Sequence, residues 1–174
     1  MYLSQRRKVL SLALVLVLLP STLAFGPCNS PKTLSVAAEA AKDIGGGTRD
    51  VIKAVGDAYQ AKLITLEQKD KYADLLKKIA QGGQRGVDAI EDLQNAGVTN
   101  PNAEQSNLLR RIFDDDVVTP FLELLTEIGK LSESSSIAIR AAMASVRTAI
   151  VLLSSKIGRS DVIRAIEARE VWNA

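Results

Sequence analysis

The stretch IRAAMASVRTAIVLLSSKI, residues 139–157, carries the strongest fold signal in the chain. Its large apolar residues recur at alternating spacings of four and three, which is typical of a helix with a coiled-coil-like seam. Ala142 and Ala149 lie beside this seam and would let a partner helix approach closely, and Gly158 marks the end of the helix. The seam consists of Ile139, Met143, Val146, Ile150, Leu153 and Ile157.

Two long helices are predicted ahead of that stretch. The first covers about 34–62, with Thr33 as its N-cap, and its apolar phase continues across Gly45-Gly46-Gly47. The second begins at the capping box Thr65-Leu66-Glu67-Gln68. It ends at Asn95-Ala96-Gly97-Val98, where a glycine stands just past the last turn.

Shorter helices complete the pattern. Asn100 and Pro101 predict an N-cap and a first helical residue. Asp114-Asp115-Asp116 and Thr119-Pro120 predict that this helix ends or kinks before the next, which runs to about Leu131. Ser160 opens the last helix. The expected fold is all-α: an antiparallel helical bundle of four main helices plus a short C-terminal helix, preceded by an N-terminal export signal helix.

The first 28 residues follow the order of a bacterial-type export signal. Arg6-Arg7-Lys8 is a positive n-region, Val9–Leu19 is an apolar run, and Pro20 interrupts that run. The run of about 11 residues falls short of the roughly 20 that span a bilayer. We therefore expect an exported protein of the bacterial cell envelope.

Three outcomes of signal processing remain open. The chain could be cleaved after Ala24, or the signal could stay as an uncleaved membrane anchor. Alternatively, the segment ending in Cys28 resembles a lipobox, in which that cysteine becomes acylated; Phe25 and Pro27 differ from the Leu and the small residue usual in this motif. Cys28 is the only cysteine, and acylation would explain an unpaired cysteine in an exported chain. Lipidation of Cys28 is the expected attachment to the membrane.

These boundaries predict a signal peptide or anchor at 1–27, a polar tether at 28–33 and a helical domain at 34–174. Cleavage after Ala24 removes Arg6, Arg7 and Lys8 from 22 basic residues, which leaves 19 against 20 acidic residues and a net charge of −1. A near-neutral mature surface argues against nucleic-acid binding, which requires a clustered basic footprint.

The chain contains no histidine, the commonest general base and transition-metal ligand. Asp114-Asp115-Asp116 lacks the ligand spacing of a calcium loop, and Arg110 and Arg111, four residues earlier, predict same-face ion pairs. Gly45-Gly46-Gly47-Thr48-Arg49 lacks the pattern of a phosphate-binding loop. The sequence predicts no catalytic residues, no metal and no cofactor, so we expect a protein that is not an enzyme.

The glycines of the first two helices suggest a site. If residues pair across an antiparallel hairpin whose turn centres near 65, Gly47 falls opposite Gly83 and Thr48 opposite Gly82. Interior glycine costs about 1 kcal/mol relative to alanine, so these positions need a compensating role. We expect a close helix contact or a notch formed by Gly45, Gly46, Gly47, Gly82 and Gly83.

Two functions follow from these observations. The first is a non-catalytic, lipid-anchored helical protein of the envelope that acts through contacts with a protein partner. The alternative is a module that binds a small apolar or amphipathic ligand between its helices, for instance at the glycine notch.

Overall fold

The computed structural model describes residues 31–171, and every element in that range is helical. The predicted all-α class is confirmed. The predicted export signal and Cys28 lie outside the described residues. The helices are α1 (Pro31–Gln60), α2 (Leu66–Asn95), α3 (Ala103–Phe113), α4 (Thr119–Gly129), α5 (Glu133–Lys156) and α6 (Ser160–Val171), with a π-helical segment at Asp114–Val118 between α3 and α4.

Helix α1 runs unbroken through the glycine triplet, as predicted. Thr48 is fully buried there, and its hydroxyl donates to the Gly45 carbonyl at 2.9 Å. Its bond inside the helix satisfies a polar group that would otherwise be costly to bury. The predicted N-cap Thr33 is wrong, because the helix already includes Pro31.

The predicted capping box at the start of α2 is confirmed. The Gln68 backbone N–H donates to the Thr65 hydroxyl at 3.2 Å, and the Thr65 backbone N–H donates to the Gln68 side chain at 2.8 Å. At the other end Gly97 has a φ of +71°, the left-handed conformation that glycine adopts freely. Both ends of α2 are thus fixed by local hydrogen bonding.

The core lies where α1 packs along both α2 and α5. The whole seam of α5 is buried, as its spacing predicts. Its residues are Ile139, Met143, Val146, Ile150, Leu153 and Ile157. Helix α2 also packs against α3, the π-helical segment and α4, while α6 packs against α4 and α5. Helix α1 is therefore a central helix with two long partners.

The predicted end or kink of the third helix takes the form of a π-helical segment between α3 and α4. The backbone stays helical from Ala103 to Gly129 and passes through the π turn instead of ending. In a regular α-helix the ring of Pro120 would collide with the carbonyl of Asp116, four residues back. The wider turn avoids this collision: the Thr119 backbone N–H bonds to the Asp114 carbonyl five residues back, and its hydroxyl donates to the same oxygen at 2.8 Å.

The start of α3 also differs from the prediction. Asn102, not Asn100, is the N-cap, and it forms a capping box with Gln105 through two hydrogen bonds of 2.9 Å. A reciprocal pair of hydrogen bonds outweighs the weaker preference of proline for the first helical position.

Candidate functional site

The glycines of α2 are contact points for the helical segment from α3 to α4. A Cβ atom added at Gly82 would lie 2.6 Å from the carbonyl oxygen of Asp116 in the π turn, and one at Gly86 would lie 2.6 Å from the ring of Phe113. Such distances are shorter than any side chain tolerates, so only glycine fits at these positions. The π turn therefore lies directly on the backbone of α2.

The glycines of α1 divide into two kinds. A Cβ at Gly47 would lie 2.8 Å from both Ser145 Oγ and Val146 Cγ2, so this buried glycine lets α1 and α5 approach closely. For Gly45 and Gly46 the prediction of a close contact is wrong, because a Cβ at either position would meet nothing within 4 Å.

The predicted pairing of Gly47 with Gly83 is also wrong. A Cβ at Gly83 would meet the Ala41 carbonyl oxygen at 3.1 Å and Ile44 Cγ2 at 3.3 Å, on the side of α1 that packs on α2. Gly47 faces α5 instead. A hairpin register considers only one partner for α1, whereas α1 packs against both α2 and α5, and its glycines contact different neighbours.

An ionic cluster lies at the π turn, with partners that differ from those predicted. Asp114 pairs with Arg159, at the start of α6, and Asp116 pairs with Arg85 on α2 at 2.9 Å. The same-face pair expected between Arg110 and Asp114 is therefore replaced by a long-range pair. One oxygen of Asp114, Oδ1, is buried without a hydrogen-bond partner.

Arg159 joins this cluster to the first turn of α6. Its Nε and Nη2 donate to the two carboxylate oxygens of Asp161, at 2.9 and 2.7 Å. This bidentate pair lowers the pKa of Asp161 to about 2, and the two aspartates raise the pKa of Arg159. Asp161 and Arg159 are therefore charged at neutral pH, and Arg159 connects the start of α6 to the π turn.

A second group of charges lies where α4 ends beside α2. Glu127 accepts from Lys130 at 2.6 Å and lies 3.1 Å from Lys71, and these two hydrogen bonds lower its pKa. Burial raises the pKa of the neighbouring Tyr72, with a smaller contribution from the charge of Glu127. These shifts stabilise the charged carboxylate and the neutral phenol, which is a structural arrangement.

Within residues 31–171 no group of three or more Cys, Asp or Glu side chains is placed to hold a metal ion. A carboxylate that acts as a general acid needs a raised pKa, whereas those of Asp161 and Glu127 are lowered. The ionic clusters of the described chain are thus suited to holding helices together.

A different kind of surface lies on α5, opposite its buried seam. Ile137, Ala141, Ala144, Thr148 and Leu152 are exposed along one side of the helix, and we call them the outer face of α5. Ile137 is 63% exposed and Leu152 is 40% exposed. The Thr148 hydroxyl donates to the carbonyl of Ala144 at 2.9 Å, inside the helix. The outer face is therefore exposed and uncharged, and the hydroxyl of Thr148 already has a hydrogen-bond partner within the helix.

The length and composition of α5 would allow it to cross a membrane, and it is the one such helix among those described. A helix at the core of a soluble protein can pass the same test. The spacing of large apolar residues predicts the seam of α5 but not the outer face. The signal was available, since the only charged residues between 134 and 155 are Arg140 and Arg147.

Charged residues border the outer face on its two edges. Asp43 and Asp50 are exposed and stand four residues before and three after Gly47, so they lie on the side of α1 that meets Ser145. Arg140 and Arg147 are seven residues apart and share the opposite edge, because successive positions on a helix are about 100° apart. The outer face thus has an acidic edge and a basic edge.

No protein-family model matches the chain, and neither a curated protein nor a solved structure matches it. We therefore infer the function from the sequence and the structure of this chain alone.

Proposed function

We propose that this chain is a non-catalytic protein of the bacterial cell envelope, anchored to the membrane through an acyl group on Cys28 and acting through protein contacts. The order of the first 28 residues supports export, and the lone cysteine past the apolar run supports lipidation. The observation that carries the role in protein contacts is the outer face of α5, an exposed and uncharged helix face.

The finer architecture that we propose is an antiparallel bundle. Lys71, near the start of α2, lies 3.1 Å from Glu127 near the end of α4. Helix α5 begins at Glu133, shortly after α4 ends, while Ser145 in its middle meets Gly47 in the middle of α1. These contacts support a direction of α5 opposite to that of α1, with its start beside the α1–α2 turn.

In this arrangement Pro31 lies at one end of the domain and the α1–α2 turn lies at the other. Each of the two long helices has 30 residues. At 1.5 Å per residue, the hairpin would extend about 45 Å from a membrane to which the N-terminal segment is attached. The outer face of α5 would then run roughly along the membrane normal, open to neighbours in the same envelope compartment.

The glycines give no support to the alternative of a small ligand held between helices. Three of the five positions expected to form the notch are occupied by protein atoms: Ser145 and Val146 at Gly47, Asp116 at Gly82, and Ala41 and Ile44 at Gly83; Gly45 and Gly46 face no second element within 4 Å. A surface that contacts another protein therefore accounts better for the described residues.

The anchor can be tested by expressing the full-length chain in a bacterial host and measuring its intact mass in the membrane fraction. The expected mature chain begins at Cys28 and carries added acyl mass. The control variant Cys28→Ser should lose that mass and leave the membrane fraction. A mature chain that begins at Phe25, or an uncleaved chain without acyl mass, would overturn the lipid anchor.

A further inference from the structure

We propose that two copies of this chain pair through the outer face of α5, in parallel orientation and about a two-fold axis along the helix. The inference deepens the proposed function, on which it rests for the membrane orientation. It names the protein partner as a second copy of the same chain.

The outer face has the composition that helix pairing needs. Ala141, Ala144 and Thr148 are small and exposed along its middle, and Ile137 and Leu152 lie near its ends. Small residues let two helix backbones approach closely, and apolar residues at the ends gain from burial. The stripe from Ile137 to Leu152 is about 22 Å long at 1.5 Å per residue, which is long enough for several turns of contact.

The charged edges favour a second copy of this chain as the partner, and they favour a parallel orientation of the two copies. In a parallel pair about a two-fold axis along the helices, the acidic edge of each copy meets the basic edge of the other. In an antiparallel pair, like edges would meet, so Asp43 and Asp50 would face aspartates and Arg140 and Arg147 would face arginines. Repulsion between like charges therefore disfavours the antiparallel pair.

The heights of these charges also fit the parallel pair. A Cβ at Gly47 would meet Ser145 and Val146, so these residues are level, and in the proposed antiparallel bundle the two helices run in opposite directions. Arg147 is therefore level with a point between Asp43 and Asp50, about 4 Å along the axis from the first and about 7 Å from the second, by the helical rise. Arg140 and Arg147 each make a contact within the chain as well. A guanidinium has five N–H donors and can serve an additional carboxylate.

The membrane anchor provides an argument independent of charge. Two copies attached to the same membrane by their N-terminal segments share one orientation, and a two-fold axis along the helices preserves it. An antiparallel pair would place one anchor at the far end of the hairpin. Confinement to the membrane also raises the effective concentration of the copies, so an interface of modest area is enough.

Disulfide cross-linking of the full-length chain in membranes tests this inference. A disulfide requires Cα atoms within about 7 Å of each other. In a parallel pair each residue faces itself, so Ala141→Cys alone and Thr148→Cys alone should each give a disulfide-linked dimer upon mild oxidation. Gln84→Cys, at an exposed position on α2, is the matched control, and the unmodified chain measures any disulfide through Cys28.

Charge-reversal substitutions in chains that also carry Thr148→Cys test the role of the charged edges. Asp50→Arg should reduce the cross-linked fraction several-fold, and adding Arg147→Asp should restore it, because the pair is then reversed across the interface. Asp74→Arg, at an exposed position on α2, should leave the cross-linked fraction unchanged.

Each result of the cross-linking experiment either supports or refutes the parallel pair. Cross-linking only in a mixture of Ala141→Cys and Thr148→Cys chains would show the antiparallel pair and overturn the parallel one. A monomer at both positions would overturn the pairing altogether, whether the cysteines are accessible to maleimide or covered by another molecule. Membrane fractionation of the same samples separates the two proposals: a retained chain that stays monomeric refutes only the pairing, and a released chain that still cross-links refutes only the anchor.

Discussion

Gly82 on α2 lies directly against the carbonyl of Asp116 in the π turn, so closely that a Cβ at position 82 would be 2.6 Å from the carbonyl oxygen. The same carbonyl is the one that the ring of Pro120 excludes from regular α-helical geometry. Gly82, Asp116 and Pro120 thus act together. The proline widens the turn, and the absence of a side chain at Gly82 leaves room for the widened turn against α2. Arg85, also on α2, forms an ion pair with Asp116 at 2.9 Å and so connects the π turn to α2.

Gly82→Ala should destabilise the fold by about 1–3 kcal/mol, because the added methyl group collides with backbone, which cannot move aside as a side chain can. The matched control is Gly46→Ala, in a helix but with nothing within 4 Å of the new methyl group. It should stabilise by about 0.5–1 kcal/mol. Urea unfolding followed by circular dichroism measures both. Equal effects of the two substitutions would contradict the contact at Asp116.

Gly86→Ala should also destabilise, since its methyl group would lie 2.6 Å from the ring of Phe113. Here the obstacle is a side chain and can be removed. In the double variant Gly86→Ala/Phe113→Leu, the cost should be smaller than the sum of the two single costs, with a coupling of about 0.5–3 kcal/mol. A double-mutant cycle by urea unfolding measures this coupling, and strict additivity would show that the two residues are not in contact.

Ile150→Ala should cost about 2–5 kcal/mol, the usual range for truncating a buried aliphatic side chain. Ile150 is 1% exposed, whereas Leu152, two residues along the same helix, is 40% exposed. Leu152→Ala should therefore change the free energy of unfolding by less than about 0.5 kcal/mol in dilute monomer. A large cost at Leu152 together with a small one at Ile150 would mean that the assignment of the two faces of α5 is inverted.

Acid should destabilise the fold through Asp161 and Glu127. The pKa of Asp161 is lowered from 3.8 to about 2 in the folded chain, so the unfolded chain takes up the proton first as the pH falls. Its contribution is complete above the unfolded pKa and is lost as the pH drops through 3.8 towards 2. Glu127, whose pKa is also lowered, acts in the same direction.

The test compares chemical unfolding at pH 7 with unfolding at about pH 3. Asp161→Asn should reduce the loss of stability between these two values, because one carboxylate no longer favours proton uptake by the unfolded chain. Asp74→Asn is the control, since Asp74 is exposed and outside the ion pairs of the described residues. An unchanged pH dependence in Asp161→Asn would show that its pair with Arg159 does not affect folding.

Features set by local sequence were predictable. The capping box at Thr65, the glycine end of α2 at Gly97 and the seam of α5 each depend on residues within a few turns, and each has its predicted form. The continuity of α1 through its glycines was also predictable, because the apolar phase on both sides matches.

Features that depend on distant partners were not predictable in the same way. The partners of Gly47, Asp114 and Asp116 lie on α5, at the start of α6 and on α2. A pairing rule for one hairpin cannot supply them, because α1 and α2 each contact more than one element. The run at 114–116 and Pro120 predict an end or a kink, but a proline alone does not show whether a neighbouring glycine will accommodate a wider turn.

The π turn also has a consequence for how this sequence can change. It holds one residue more than an α-helical turn would, and it therefore rotates everything downstream by about 100°. With that rotation Phe121 and Ile128 come into line with Leu109, and all three are buried. Removing one aspartate from the run at 114–116 and returning to a regular α-helix would leave this alignment unchanged, so Phe121 and Ile128 would still face the core. A one-residue deletion in this run is therefore expected to keep the apolar positions of α4, and its cost would come from the ring of Pro120, which a regular helix brings against the carbonyl four residues back.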